Sequence, residues 1–248
     1  LTSEANREWN YTTSLHQPGG MNDRELLAAA EIACQQQWWD RCINTSERTK
    51  TVIDMQQRFP QHYRDTITSA SAQAGLDAAW VYGLIRQESR FVPSARSGVG
   101  AAGLMQVMPG TARLVARKLG IAADSASVQG NVQLGTGYLA MLYEEFGGSA
   151  ALASAGYNAG PGRPRRWRNG ADIEGAIWAE NIPFNETRDY VKKVLANSVN
   201  YALLLERGRA QSLYTRLGRV APLASSSGTQ ADAGSESAKD NNNERESE

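Results

Sequence analysis

The stretch Trp80-Val81-Tyr82-Gly83-Leu84-Ile85-Arg86-Gln87-Glu88-Ser89-Arg90-Phe91 decides how this 248-residue chain folds. Val81, Leu84, Ile85 and Glu88 stand at i, i+3, i+4 and i+7, the spacing of one face of an α-helix. A carboxylate therefore lies on the stripe that faces the core, in the last turn of the helix. Such a Glu is desolvated, paired with a neighbouring Arg or backbone donor, or lining a cleft. Its own helix offers no cation, because positions 84, 85, 91 and 92 are Leu, Ile, Phe and Val. Pro93 and the run Ser97-Gly98-Val99-Gly100-Ala101-Ala102-Gly103 cannot extend the helix, so the chain turns sharply. Leu104-Met105-Gln106-Val107-Met108 is apolar except for Gln106. That amide either points into a pocket or bonds a neighbouring loop. Pro109-Gly110-Thr111 then opens a new helical pattern, Ala112 to Leu119.

Outward from this centre the periodicity is helical almost everywhere. Asn22 or Asp23 caps a helix through Leu26, Leu27, Ala30 and Ala33. A second helix is expected from about Asp40 to Phe59, with Ile43, Val52 and Ile53 as core positions. Phe59-Pro60 marks a boundary, followed by a helix from Gln61 to Ala74 with Tyr63, Ile67 and Ala70 on one face. Gly75 terminates it and Asp77 caps the Glu88 helix. Asn131 to Phe146 carries Leu134, Tyr138, Leu139 and Leu142 as its stripe, and Ala150 to Asn158 is a short Ala-rich helix. After Ile182-Pro183 comes a last amphipathic helix with Tyr190, Val191, Val194, Leu195, Val199 and Leu203 inward. No stretch alternates with period two, so the fold class is all-α. The boundaries read as a helical segment at 1–59, a main domain at 60–221, and a polar, disordered tail at 222–248.

Composition excludes several classes. Lys+Arg and Asp+Glu both number 26, so no bulk field draws the chain to nucleic acid or an anionic membrane. Arg163 to Arg168 holds four Arg and Trp167, a pattern single-strand nucleic-acid binders use. The run is short and the net charge zero, so it reads as a loop or groove rim, with Trp167 placed to stack on a sugar. No apolar run approaches the roughly 20 residues of a membrane span. The chain opens at Leu1 with no export signal, as a mature or excised piece would. Cys34 and Cys42 lie about 12 Å apart on one continuous helix, and meet only across a helical hairpin. His16 and His62 are isolated, so neither a metal site nor a Ser-His-Asp arrangement is expected.

Glu88-Ser89, the turn from Gly98 to Gly103, Gly103-Leu104-Met105-Gln106 and Met108-Pro109-Gly110-Thr111 resemble the catalytic core of the soluble lytic transglycosylases. Ala155-Gly156-Tyr157-Asn158-Ala159-Gly160-Pro161-Gly162 and Ile182-Pro183-Phe184-Asn185-Glu186-Thr187-Arg188-Asp189-Tyr190-Val191 continue the likeness in the family's order. It is close from Tyr63 to Arg209 and looser before that. The resemblance implies a goose-type-lysozyme-like helical domain, preceded by the end of an α-superhelical region. It implies cleavage of peptidoglycan glycan strands between N-acetylmuramic acid and N-acetylglucosamine, with a 1,6-anhydro product, no cofactor and no metal. A periplasmic location in a Gram-negative bacterium follows from the same likeness, and protein partners stay unknown. Glu88 matches the catalytic Glu, with its pKa raised by burial. Ser97, Gln106, Met108 and Thr111 match positions lining the sugar groove. Tyr157 matches a Tyr whose hydroxyl positions the carboxylate or the reacting acetamido group, so its hydroxyl is expected within hydrogen-bond reach of Glu88. Asn158 accompanies it, and Glu186 matches a second, substrate-orienting Glu. A hydrolysing muramidase on the same fold, or a non-catalytic peptidoglycan-binding scaffold, are the alternatives.

Overall fold

The computed structural model describes residues 3–13, 20–168, 170–205 and 211–222. The expected tail beyond Pro222, and His16, lie outside them. The chain begins with α1 (Ser3–Thr12), α2 (Asp23–Gln35), α3 (Trp39–Ser46) and the short α4 (Met55–Arg58). Asn22 caps α2: its Oδ1 accepts from the Arg24 and Glu25 amides while Glu25 accepts from the Asn22 amide. Cys34 and Cys42 are joined by a disulfide across the turn between α2 and α3, with Cα atoms 5.0 Å apart. Trp38 packs edge-on to Trp9, and Trp39 stacks on His62.

The single helix expected from Asp40 to Phe59 is not formed. The chain leaves α3 at Ser46, and the Lys50, Thr51 and Val52 amides turn back to the Asp23 carboxylate. A side chain that satisfies three successive amides out-competes the helix for them. Val52 and Ile53, read as core, are therefore 48% and 58% exposed, whereas Ile43 is fully buried.

The larger part runs through α5 (Arg64–Gln73), α6 (Ala78–Glu88), α7 (Pro109–Leu119), α8 (Val128–Glu145), α9 (Ala150–Ala159) and α10 (Gly162–Arg166). Then come β1 (Ile173–Glu174), α11 (Gly175–Glu180), α12 (Asn185–Leu205), α13 (Leu213–Leu217) and β2 (Arg219–Val220). The two strands form a minimal antiparallel pair, Ile173 opposite Val220. Helix α6 is the axis. Asp77 caps it through the Ala79 amide, and Val81, Leu84 and Ile85 are fully buried. Each of those side chains contributes roughly 1.5–3 kcal/mol by leaving water. Helix α12 lies so close along α6 that a Cβ at Gly83 would come within 2.6 Å of the Val194 carbonyl. Tyr190, Val191, Val194 and Leu195 face inward as expected, but Leu203 is 44% exposed and Tyr201 and Ala202 take the buried side. Tyr201 stacks on Tyr82 and donates to the Pro60 carbonyl, which sets the rotation of the last turns.

Arg86, two residues before Glu88, pins the first four helices to this axis. It is buried, with Nη2 on Glu47 at 2.5 Å, Nε donating to the Arg58 carbonyl and Nη1 to Asn197 Oδ1. Its guanidinium also covers the Phe59 ring. Among the described residues no helix is long and apolar enough to cross a membrane, and no cluster of His, Cys, Asp and Glu could hold a metal ion.

Candidate active site

Helix α6 ends at Glu88, and the chain leaves it by a strained path. Arg90 and Phe91 take φ of 48° and 64°, a left-handed conformation that is costly for side chains with a Cβ. Full burial of Phe91 and a bond from the Ser89 hydroxyl to the Leu104 carbonyl at 2.8 Å hold that path in place. The strand-like returns Arg96–Ala102 and Ala102–Val107 then fold the Gly-rich segment over the helix end. Asn131 of α8 organises this segment. Its Oδ1 accepts from the Met105 amide at 2.9 Å, and its Nδ2 donates to the Ala102 carbonyl at 2.8 Å. Gly103 sits at φ 77° so close to this amide that any Cβ would strike it at 2.3 Å. Only glycine fits there.

Glu88 is partly buried, and it has no ion-pair partner among the described residues. Among the described residues its carboxylate accepts one hydrogen bond, from Tyr190, whose hydroxyl donates to Oε1 at 2.5 Å. Burial pushes the carboxyl up to about 7; the Tyr190 bond opposes this and the Glu186 charge reinforces it. Burial also holds the Tyr190 and Tyr157 hydroxyls protonated, well above the usual phenol range, and the Glu88 charge adds to both shifts. The group is thus an acid poised near neutrality, touching a phenol that stays a donor.

The hydrogen bond expected from Tyr157 is made elsewhere. Its hydroxyl donates to the Met105 carbonyl at 2.8 Å, tying α9 to the Gly-rich segment. Tyr190 takes the place at the carboxylate because α12, not α9, packs along α6. Periodicity alone reads Tyr190 as one member of an apolar stripe. Its signal is the phenol itself: a buried Tyr needs a partner for its hydroxyl, and Glu88 lies on the facing stripe.

The other sequence-predicted residues fall around this centre in two groups. On α9 and α12, Asn158 Oδ1 accepts from Thr187 at 2.7 Å and its Nδ2 reaches Glu186 at 3.4 Å. Glu186 is exposed in the first turn of α12, where the helix dipole favours a carboxylate. In the Gly-rich segment, Ser97 Oγ accepts from the Ala101 amide. Gln106 sits at φ 45° and donates to the Ala95 and Gly103 carbonyls, so its amide braces the loop. Met108 is 40% exposed at the start of α7, and Thr111 is partly buried in its first turn. The basic run is largely tied down. Arg165 pairs with Glu145, Arg168 donates to the Ala221 and Pro222 carbonyls, and Arg163 and Trp167 both pack on Phe184.

Comparison with known proteins places this geometry. Residues 65–177 match the family model described as the transglycosylase SLT domain. Residues 181–209, a span that contains the whole of α12, match the soluble lytic transglycosylase helical domain. The soluble lytic murein transglycosylase of Salmonella typhimurium is 37% identical over 184 residues, covering 71% of this chain and 28% of that protein. A putative soluble lytic murein transglycosylase of Haemophilus influenzae is 31% identical over 191 residues, covering 75% of this chain and 32% of that protein. Among solved structures, an inactive mutant of the lytic transglycosylase Slt from Pseudomonas aeruginosa superposes with a TM-score of 0.75 at 39% identity, over 83% of this chain and 34% of that one. The 70-kDa soluble lytic transglycosylase of Escherichia coli gives 0.70 at 33% identity, over 81% and 33%. The chain thus spans about a third or less of the length of these relatives.

Proposed function

The chain belongs to the soluble lytic transglycosylase family, and we propose that it cleaves the β-1,4 bond between N-acetylmuramic acid and N-acetylglucosamine in peptidoglycan, leaving a 1,6-anhydromuramic end. The observation that carries this is Glu88: one partly buried carboxyl, held up to about 7, with a phenol and no cation against it. Glycosidases usually work with two carboxylates flanking the scissile bond. Here the second, Glu186, is exposed and held by Asn158, an arrangement suited to orienting a sugar.

One carboxyl group then serves both steps. Protonated Glu88 donates to the glycosidic oxygen as that bond breaks, and the N-acetylglucosamine leaves as an alcohol. The Glu88 carboxylate so formed keeps the Tyr190 hydrogen bond, which favours the charged form. The substrate's 2-acetamido group supports the positive charge at C1. Glu88 next takes the proton from the C6 hydroxyl, O6 closes on C1, and the protonated acid is restored. No water is consumed.

Ser97, Gln106, Met108, Thr111, Tyr157 and Asn158 border the sugar groove in this reading. Tyr157 acts through the Met105 carbonyl and not on the carboxylate. Residues 1–59 are the end of a superhelical region and 60–221 the catalytic domain. We place it in the periplasm of a Gram-negative bacterium, a location supported by the likeness to the soluble lytic murein transglycosylases of such bacteria. Mass spectrometry of fragments released from intact peptidoglycan tests the chemistry. Ends lighter by one water than the hydrolysed sugar are expected. Reducing muramic ends would mean a muramidase, and no release would mean a binding scaffold.

A further inference from the structure

A second concave site lies at the opposite end of α6. A cavity of about 690 Å³ is lined there by Asp77, Trp80, Tyr143, Arg168, Arg216 and Arg219. Helix α6 has 11 residues, so this site is about 16 Å along the helix from Glu88. Three arginines line it against one carboxylate. Arg219 is paired with Asp172, but among the described residues Arg168 meets only the Ala221 and Pro222 carbonyls and no carboxylate. The N-termini of α6 and of the 10-residue α9 also face it, through Asp77 and Ser149. Both ends add positive potential.

Arg216 points to a ligand. Its side chain is only 9% exposed, and Nη1 donates to Asp77 at 2.5 Å. Its Nε is buried with no hydrogen-bond partner, and among the described residues Nη2 has none either. A guanidinium carries five donors in a planar fork that matches a carboxylate. One acceptor, shared with a helix cap, leaves Nε unpaired in a place shielded from water and the Nη2 edge open to an acceptor in the cavity. Trp80 and Tyr143 supply apolar walls beside it, which suit an aliphatic chain attached to the anion better than a bare inorganic ion.

We propose that this cavity binds a short acidic peptide by its carboxylates, with Arg216 and Arg168 as the anion-holding residues and Trp80 and Tyr143 against the peptide's aliphatic part. Assigning the peptide to the stem of a peptidoglycan strand, free or glycan-attached, rests on the proposed function; the carboxylate site does not.

The test uses the full chain carrying Glu88→Gln, titrated with a synthetic tetrapeptide that has side-chain and C-terminal carboxylates and no sugar. Calorimetry gives the affinity and the Trp80 indole N–H resonance reports the place. The expected result is saturable binding that shifts Trp80, weakens with salt, and falls at least tenfold when the carboxylates are amidated. Arg216→Gln and Arg168→Gln each lower it at least tenfold. Arg168 is the second probe because Arg216→Gln also breaks the pair at the α6 cap. No shift of Trp80 at about 10 mM peptide, or displacement by equimolar inorganic phosphate, overturns the proposal. Binding only of a disaccharide-linked peptide, with Trp80 unmoved, places the ligand in the groove at Glu88 and also overturns it. Wild-type chain that binds the peptide yet releases nothing from sacculi overturns the lytic reading while keeping the carboxylate site.

Discussion

Two carboxylates at helix ends, Asp23 and Glu88, show what separates the first four helices from the cleft. Asp23, half-buried in the first turn of α2, accepts from the Thr51 hydroxyl and amide at 2.6 Å each, and from the Lys50 and Val52 amides. The Thr51 hydroxyl leads a set of donors that drives it well below the usual carboxylate range. Glu88, at the other end of its helix, is given burial and a single phenol, and rises to about 7. A carboxylate surrounded by donors stays in one protonation state and holds a loop. A carboxylate short of donors, in a dry place, sits between two states and can pass a proton.

The contrast breaks most visibly by substitution. Glu88→Gln should lower release of soluble fragments from sacculi by at least ~10²–10⁴, the usual worth of a general acid. Asp23→Asn should leave turnover unchanged while lowering the thermal midpoint. Turnover in the first variant close to wild type would remove Glu88 from the chemistry.

The next effect is on stability. Glu88 is raised above its unfolded value of 4.5, so the native state binds more protons than the unfolded state between pH 4.5 and about 7. Its contribution is fully present below 4.5 and is lost as pH rises through about 7. At pH 8 the Glu88→Gln protein should therefore gain up to about 3 kcal/mol relative to wild type, compared with pH 4. Urea melts at the two pH values measure it, and an equal difference at both would contradict a raised carboxyl. Asp23 carries the opposite sign, since its stabilisation is lost only as pH falls through the acid range.

Smaller still is the disulfide. Reducing Cys34–Cys42 should cost on the order of 2 kcal/mol, as its loop is short. The loss should appear in melts of the N-terminal helices, with turnover retained as long as Arg86 keeps Glu47. Smallest is Tyr190→Phe. Removing the donor that favours ionised Glu88 should move the alkaline limb of activity upward by about one unit, the low end of a hydrogen bond to a charged group. A downward move would mean that Tyr190 stabilises the neutral acid instead.

The sequence carried the helical class, the caps at Asn22 and Asp77, the buried face of α6 and the placing of Glu88 on it. These rest on local spacing and on side chains that satisfy their own helix ends. The features that stayed hidden depended on partners far along the chain. Val52 and Ile53 looked like core because nothing nearby shows that Asp23 captures the amides beside them. Leu203 kept the period of its helix, yet the Tyr201 stack on Tyr82 turned that last part outward. Tyr157 was expected at the carboxylate from its motif. The phenol found there is Tyr190, 102 positions from Glu88, brought in by a helix contact that only the fold supplies.

The central claim is that Glu88 titrates near neutrality, so that a protonated acid is available at physiological pH, and its own titration tests this most directly. With glutamate carboxyl carbons labelled with ¹³C, and Glu88→Gln to assign the resonance, the shift can be followed from pH 3 to 9. A midpoint near 7 is predicted. A midpoint at or below 4.5, the ordinary value for this group, would contradict the account.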